Sequence, residues 1–421
     1  MMDKVEKILS LLESGQHEEA IKSYKDVLLS GSNEERFVLG EELLQLGFLE
    51  EAKELFETLL IAYPEEGELL VLLAEACMEL GNEEEAMLAL EKIHSSDQSY
   101  PQALLLAADL YQMQGLFEVS EQKLLTAKKI LPDEVLIDFA LAELYMEQGR
   151  FTNAIQLYEA VLKKERELAG TSIHQRLAEA YSAGGAFEEA LPHYEQALED
   201  RFEINTLFGY GFTALHAGYY QTAIEKLTEL KNMDREYNSL YLYLAKAYEH
   251  EEDLSKSLEV IKEGIQFDEF NKDLFFYGGK IALKLNLEEE AEKLIREALA
   301  LDPEFVEAAL TLNKLLFHQE KYDDVLEIID IMNEHGVEEP QLLWDEANAL
   351  ANVERYSEAL NKYQLAYNFF KNQQEFLTDY GYFLIEEGKT QEAAEIFSIL
   401  LQMDPSNEEF AEMVQRFSED V

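Results

Sequence analysis

Small and bulky residues recur along the chain with a period far longer than one helical turn. A small residue returns at Ala20, Ala52, Ala86, Ala154, Ala190, Ala223, Ala291, Ala359 and Ala393, with Ser120, Ser257 and Val325 in the gaps. These twelve positions lie 32, 34, 34, 34, 36, 33, 34, 34, 34, 34 and 34 residues apart. Four residues after each of them the chain is always apolar, from Tyr24 and Phe56 to Tyr363 and Phe397. That offset is one turn, so each pair shares a helix face. Twelve residues before the small position stand Gly40, Ala74, Ala108, Ala142, Ala178, Gly211, Ala245, Gly279, Ala347 and Gly381, which let a second helix approach closely. Five residues before it, eight repeats carry Gly, from Gly15 to Gly388, and the other four carry Glu252, Asn286, Glu320 and Glu354. Gly at a helix end supplies the left-handed cap. Pro64, Pro132, Pro303 and Pro405 fall twelve residues after the small position, where a second helix must stop. Each unit therefore predicts helix, short turn, helix, short turn.

This unit resembles the tetratricopeptide repeat, a helical hairpin of the same length. Residues 272–305 show it well: Phe275, Gly279, Ala291, Ile295, Ala298 and Pro303 sit at its bulky, small, small, bulky, small and Pro positions. The resemblance covers essentially the whole chain. It implies an all-α fold, a tetratricopeptide-type α-α superhelical solenoid of antiparallel helix hairpins. Repeats 1–6 occupy 1–203 and repeats 7–12 occupy 204–406. The segment 407–421, with Phe410, Val414 and Phe417 on one face, is expected to be a C-terminal capping helix. The expected organisation is one continuous array, because a lone hairpin cannot bury its apolar faces and stacked hairpins can. The pattern lapses at Ile8 and Asn313, which stand at the first small position, and at Val325. Two extra residues near Leu168–Thr171 and Pro192 inside a second helix predict a local irregularity or a change of pitch over 165–195.

Charge narrows the function. The chain has 34 Lys plus Arg against 87 Asp plus Glu, a formal charge of −53. The excess is even: 16 basic and 42 acidic residues through Glu203, then 18 and 45. Direct nucleic-acid binding is excluded, because phosphate neutralisation needs basic side chains, and anionic membranes are disfavoured likewise. A hydrophobic content of 47% argues against disorder. Cys77 is the only cysteine, so no disulfide framework, redox pair or thiolate zinc site is expected. The start Met-Met-Asp-Lys-Val-Glu-Lys has no secretory apolar stretch, and no run is long enough to span a bilayer. A cytoplasmic protein is predicted.

Catalytic signatures are missing. Gly278-Gly279-Lys280 lacks the rest of a phosphate loop, and no Gly-x-Ser-x-Gly elbow occurs. With this many acids, paired carboxylates read as solvated helix faces. His216, His250 and His318 hold equivalent positions in repeats 7, 8 and 10. Neighbouring hairpins lie roughly 10 Å apart, too far for shared ligands of one ion. No catalytic residue, cofactor or metal is expected.

The resemblance implies that partners bind on the concave surface lined by the first helix of each hairpin. Eleven residues before the small position, repeats 2–6 carry Glu41, Glu75, Asp109, Glu143 and Glu179. Phe212 follows, then Lys246, Lys280 and Lys314, then Asn348 and Tyr382. One structural column is thus acidic and then basic. Seven residues before the small position, repeats 7–10 carry His216, His250, Lys284 and His318, and Phe208, Tyr243, Phe276, Tyr277 and Trp344 interleave. Lysines among aromatics suit an acidic or carboxylate-ended peptide; the acidic column suits a basic segment. The competing reading is that the lysines only offset nearby acids and that the tyrosines are buried between repeats. A sub-family that grips chaperone tails needs Lys and Asn in its first repeat; Val5 and Leu9 stand there, and Lys246, Lys280 and Lys314 lack the Asn partners. The expected function is a non-enzymatic scaffold or adaptor for protein or peptide partners, with a monomer favoured. The charge points toward basic-surfaced nucleic-acid machinery such as RNA polymerase or the ribosome. The alternative is a regulatory repeat protein that binds a response regulator or a signalling peptide.

Overall fold

The structure is a computed structural model that describes residues 2–418, with side chains described over 4–416. Its contacts divide the chain into two units, residues up to Thr213 and residues from Ala214. The first contains α1 (Met2–Glu13), α2 (His17–Ser30), α3 (Asn33–Gln45), α4 (Leu49–Ala62), α5 (Gly67–Glu79), α6 (Glu83–Leu90), α7 (Tyr100–Met113), α8 (Phe117–Ile130), α9 (Val135–Glu147) and α10 (Phe151–Leu162). A small hairpin of β1 (Glu167–Leu168) and β2 (Thr171–Ser172) follows, then α11 (Ile173–Ala183) and α12 (Phe187–Asp200). The division falls inside α13 (Ile204–His216). The second unit continues with α14 (Tyr220–Met233), α15 (Ser239–His250), α16 (Leu254–Phe267), α17 (Lys272–Lys284), α18 (Glu288–Leu301), α19 (Val306–His318), α20 (Tyr322–Glu334), α21 (Pro340–Asn352), α22 (Tyr356–Phe370), α23 (Gln374–Glu386), α24 (Thr390–Met403) and α25 (Glu408–Ser418). Within each unit, odd-numbered helices pack on their even-numbered hairpin partners and also on one another, as α5 on α7 and α15 on α17. The fold is the all-α tetratricopeptide architecture that the repeat predicts.

The repeating columns have direct physical causes. The residue five before the small position is left-handed in each repeat, with φ of 70–81° at Gly15, Gly47, Gly81, Gly115, Gly149, Gly185, Gly218 and Gly388. Glu252, Asn286, Glu320 and Glu354 adopt the same conformation, with φ of 60°, 58°, 57° and 63°. The next residue then bonds back into the helix: Phe48 N–H donates to the Leu43 carbonyl at 2.8 Å, and Lys321 N–H to Leu316 at 2.9 Å. This satisfies carbonyls that a helix end otherwise leaves unpaired. The small column and the bulky column interlock. A Cβ on Gly279 would come 2.4 Å from Ile295 Cγ1, and one on Gly40 would come 2.6 Å from the Phe56 ring.

Departures from the pattern are accommodated individually. Ser257 is fully buried and donates to the Ala245 carbonyl at 2.8 Å. Asn313, also fully buried, donates from Nδ2 to Asp345 Oδ2 at 3.0 Å. The two extra residues become the tip of the β1–β2 hairpin, where Ala169 and Gly170 have φ of 49° and 75°. Pro192 leaves α12 unbroken. One irregularity is new: α6 has 8 residues where most second helices have 14, and a loop occupies the rest. On α25, Phe410 is buried against Phe397, ring centroids 6.1 Å apart, and Val414 is half-buried. The Phe417 side chain lies outside the described residues. No described helix is long and apolar enough to cross a membrane.

Candidate partner-binding face

Each residue of the column eleven before the small position directly follows the buried stripe at Ala245, Gly279, Asn313 and Ala347. One residue further round a helix is about 100°, which turns the side chain off the buried seam. In the second unit Lys246 projects from α15, Lys280 from α17 and Lys314 from α19.

The Lys246 ammonium lies 5.5 Å from the centre of the Tyr243 ring and 5.7 Å from that of Tyr277. Both distances are within cation–π range. The Tyr277 hydroxyl donates to Glu249, and Lys284 pairs with the same carboxylate. Burial alone would raise the Glu249 pKa, but the bonds from Lys284 and Tyr277 outweigh it and hold the group below the usual carboxylate range. Burial, and then the bond to Glu249, pushes the Tyr277 phenol upward. Tyr277 is therefore held as a neutral phenol beside Lys246. Lys280 sits 5.2 Å from the Phe276 ring centre and reaches Glu307 Oε1 at 3.2 Å. Among the described residues, Lys246 and Lys314 have no carboxylate within ion-pair distance. Phe276 itself is buried and meets Phe305 edge-on at 4.8 Å, so it backs the face instead of surfacing on it.

The residues seven before the small position are exposed at the C-terminal ends of α13, α15, α17 and α19. His250 stacks on Tyr220, ring centres 4.4 Å apart and planes 3° from parallel. His318 approaches Glu288 at 3.6 Å, and the His216 ring centre is 6.5 Å from that of Tyr243. Of these, the geometry brings only His216 and Lys284 to the Tyr243–Lys246–Tyr277 cluster. No group of described residues could hold a metal ion. Trp344 lies apart, edge-on to Phe376 at 5.4 Å, with its indole N–H donating to Asp379 at 3.1 Å. Asn348 also donates to Asp379, at 3.4 Å.

Asp345 and Asp379 were not singled out by the sequence, yet they occupy the same column as Tyr243 and Tyr277, fourteen before the small position. Burial raises both carboxyls. Bonds from Gln341 and Asn313 resist this at Asp345, and bonds from Trp344 and Asn348 resist it at Asp379.

In the first unit the acidic column divides. Glu143 accepts from Tyr158 at 2.5 Å and lies 3.1 Å from Arg176, which also donates to Glu179 at 3.0 Å. Arg176 thus neutralises two of the five carboxylates, and it too lies in the fourteenth column. The other three meet no cation within ion-pair distance among the described residues. Burial raises the Glu41, Glu75 and Asp109 carboxyls, helped at Glu41 by Glu68 and Glu42 and opposed at Glu75 by a bond from Gln102. Phe212, half-buried on α13, has its ring centre 6.3 Å from that of Phe208.

Comparison with known proteins agrees with the repeat. The family profile described as YpiA-like tetratricopeptide repeats matches residues 112–166, and that of YpiA-like C-terminal tetratricopeptide repeats matches 340–407. A general tetratricopeptide repeat profile matches 43–110 and 145–203. The chain is 42% identical over 416 residues to the TPR repeat-containing protein YpiA of Bacillus subtilis (strain 168), covering 99% of this chain and 98% of that one. It is also similar to the crystal structure of a tetratricopeptide repeat protein from Parabacteroides merdae ATCC 43184, with 17% identity, 60% of this chain and 99% of that chain covered, and a TM-score of 0.43. The structure of YrrB, described as a TPR protein with an unusual peptide-binding site, matches at 16% identity over 47% of this chain and 97% of that one, with a TM-score of 0.38.

Proposed function

Because the chain belongs to the YpiA-like tetratricopeptide repeat family, whose repeats generally serve as protein-interaction scaffolds, we propose that its lysine column holds an acidic or carboxylate-ended segment of a protein partner. The observation that carries this reading is Lys246. In a chain of net charge −53, its ammonium meets two tyrosine rings and no carboxylate among the described residues. Lys280 and Lys314 extend the same column, so an extended ligand could place an acidic group at each repeat. In the first unit, Glu41, Glu75 and Asp109 are proposed to face a basic segment. The scaffold is read as non-enzymatic and as a monomer in the cytoplasm. The charge also favours fast, salt-sensitive encounter with basic-surfaced machinery, of the kind RNA polymerase and the ribosome present.

The test is capture of partners from the native cell with the wild-type chain and with Lys246→Glu/Lys280→Glu/Lys314→Glu, each at low and high salt. The reading expects a class of partner that the variant loses while its helicity and thermal unfolding stay those of the wild type. Retention of every partner by a folded variant would refute it.

A further inference from the structure

The shortened helix α6 and the loop after it border a cavity. After Leu90 the chain reads Glu-Lys-Ile-His-Ser-Ser-Asp-Gln-Ser, and Ser and Asp favour turns over helix interiors. The loop is fixed by its own bonds. Asp97 N–H donates to the His94 carbonyl at 2.9 Å, and Ser99 N–H donates to Asp97 Oδ1 at 2.8 Å. Asp97 packs on the start of α5, where a Cβ on Gly67 would meet Asp97 Oδ1 at 2.3 Å. Ile93 still fills the core at 6% exposure, so the missing turns cost the wall of the hairpin and not its centre.

The result is a pocket of about 330 Å³ between α6 and α8, over α7. Ala103 and Ala107 are buried small residues on its lining, Tyr111 forms a wall, and Lys92, His94 and Lys123 stand at its edge. Lys123 lies 5.8 Å from the centre of the Tyr111 ring. Among the described residues, neither Lys92 nor Lys123 forms an ion pair or a hydrogen bond. Glu91 is the single carboxylate on the lining among the described residues. His94 Nδ1 accepts from Ser96 N–H and lies 2.9 Å from Ser96 Oγ, which leaves the Nε2 position as the ring's donor. Asp109, also on α7, belongs to the acidic column and does not line the pocket.

We infer that this pocket binds a small amphipathic anion, one aromatic or short aliphatic body carrying a carboxylate or a phosphate. The body rests on the Ala103–Ala107 floor beside Tyr111, and the headgroup lies between Lys92 and Lys123 with His94 as a further donor. Two lysines and an imidazole around the Ala103–Ala107 floor reward a ligand with both parts, and water or an inorganic ion can use only one of them. The site is independent of the lysine column in the second unit.

The experiment uses the full chain and 8-anilinonaphthalene-1-sulfonate as the fluorescent probe. The inference expects saturable binding that Lys92→Gln/Lys123→Gln weakens by about tenfold per lysine, the scale of a charged hydrogen bond. The control Lys163→Gln/Lys164→Gln removes the same charge elsewhere in the unit and leaves binding unchanged. Competition then separates the headgroups. 3-Phenylpropionate or phenyl phosphate displaces the probe, whichever headgroup the site prefers, and neutral 3-phenylpropanol does not. Probe affinity equal to wild type in Lys92→Gln/Lys123→Gln, or displacement by the alcohol as readily as by the acids, would overturn the inference.

Discussion

Three glutamates hold a backbone conformation that the remaining repeats give mostly to glycine. Glu252, Glu320 and Glu354 have φ of 60°, 57° and 63°, and all three are exposed and make no ion pair among the described residues. An L-residue in this region costs roughly 1–2 kcal/mol. Glycine removes that cost but returns roughly 0.4–1 kcal/mol through the greater freedom of the unfolded chain. Removing a carboxylate from the negative end of a helix adds roughly 0.3–1 kcal/mol. The balance is a gain of about 1 kcal/mol per site. The sites are one or two repeats apart and share no partners, so their effects should add. Glu252→Gly/Glu320→Gly/Glu354→Gly is therefore expected to stabilise repeats 8, 10 and 11 by about 3 kcal/mol in total, several degrees in their thermal transition. Calorimetry and urea unfolding followed by circular dichroism measure this. Asn286→Gly is the internal control. Its gain should be smaller, because Asn tolerates the left-handed region. A triple variant that unfolds at or below the wild-type midpoint would refute the reasoning.

Two further perturbations follow from the buried polar groups. Asn313→Ala restores the family's small residue but removes the Nδ2 donor from half-buried Asp345; it should destabilise by about 1–2 kcal/mol, and Asp345→Ala in the same chain should recover most of the loss, as read by a double-mutant cycle. The raised carboxyls should make stability rise as pH falls from neutrality toward the ordinary carboxylate range, measured in a His174→Gln/His193→Gln background because burial lowers those two imidazoles and gives them the opposite slope. Glu75, Asp109, Asp345 and Asp379 have carboxyls raised by burial, so the folded chain binds protons more tightly than the unfolded one. The stability they withhold when ionised returns as pH drops through their folded values. The lowered carboxyls of Glu249 and Glu292 stay ionised across this window and contribute no opposing slope. A melting temperature that falls over the same interval at low salt would contradict this.

The sequence made the hairpins readable because each repeats the same three physical requirements. A left-handed cap ends the first helix, a small residue admits a bulky one, and an apolar residue one turn later closes the seam. Even the gaps in the glycine column pointed to Glu252, Asn286, Glu320 and Glu354 as caps, and the structure places them there. The short α6 was not readable, because Ile93 keeps the apolar register after the helix has stopped. The division of the acidic column was hidden for a different reason. Arg176 lies in another column, and only side-chain reach brings it to Glu143 and Glu179. Likewise the histidines seven before the small position share a register position but find different neighbours, Tyr220 for His250 and Glu288 for His318. Period fixes which helix face a residue occupies, and the neighbour's side chain decides whether its charge is available.

The central claim is that partners dock on the first-helix face at the lysine column. Photo-crosslinking tests it most directly, with a photoreactive residue placed at Lys280 on α17 or at exposed Lys293 on α18 of the same hairpin. The account predicts a partner crosslink from position 280, lost at high salt and in the presence of Lys246→Glu, and none from position 293. Equal crosslinking from both positions, or crosslinking from 293 alone, would contradict it.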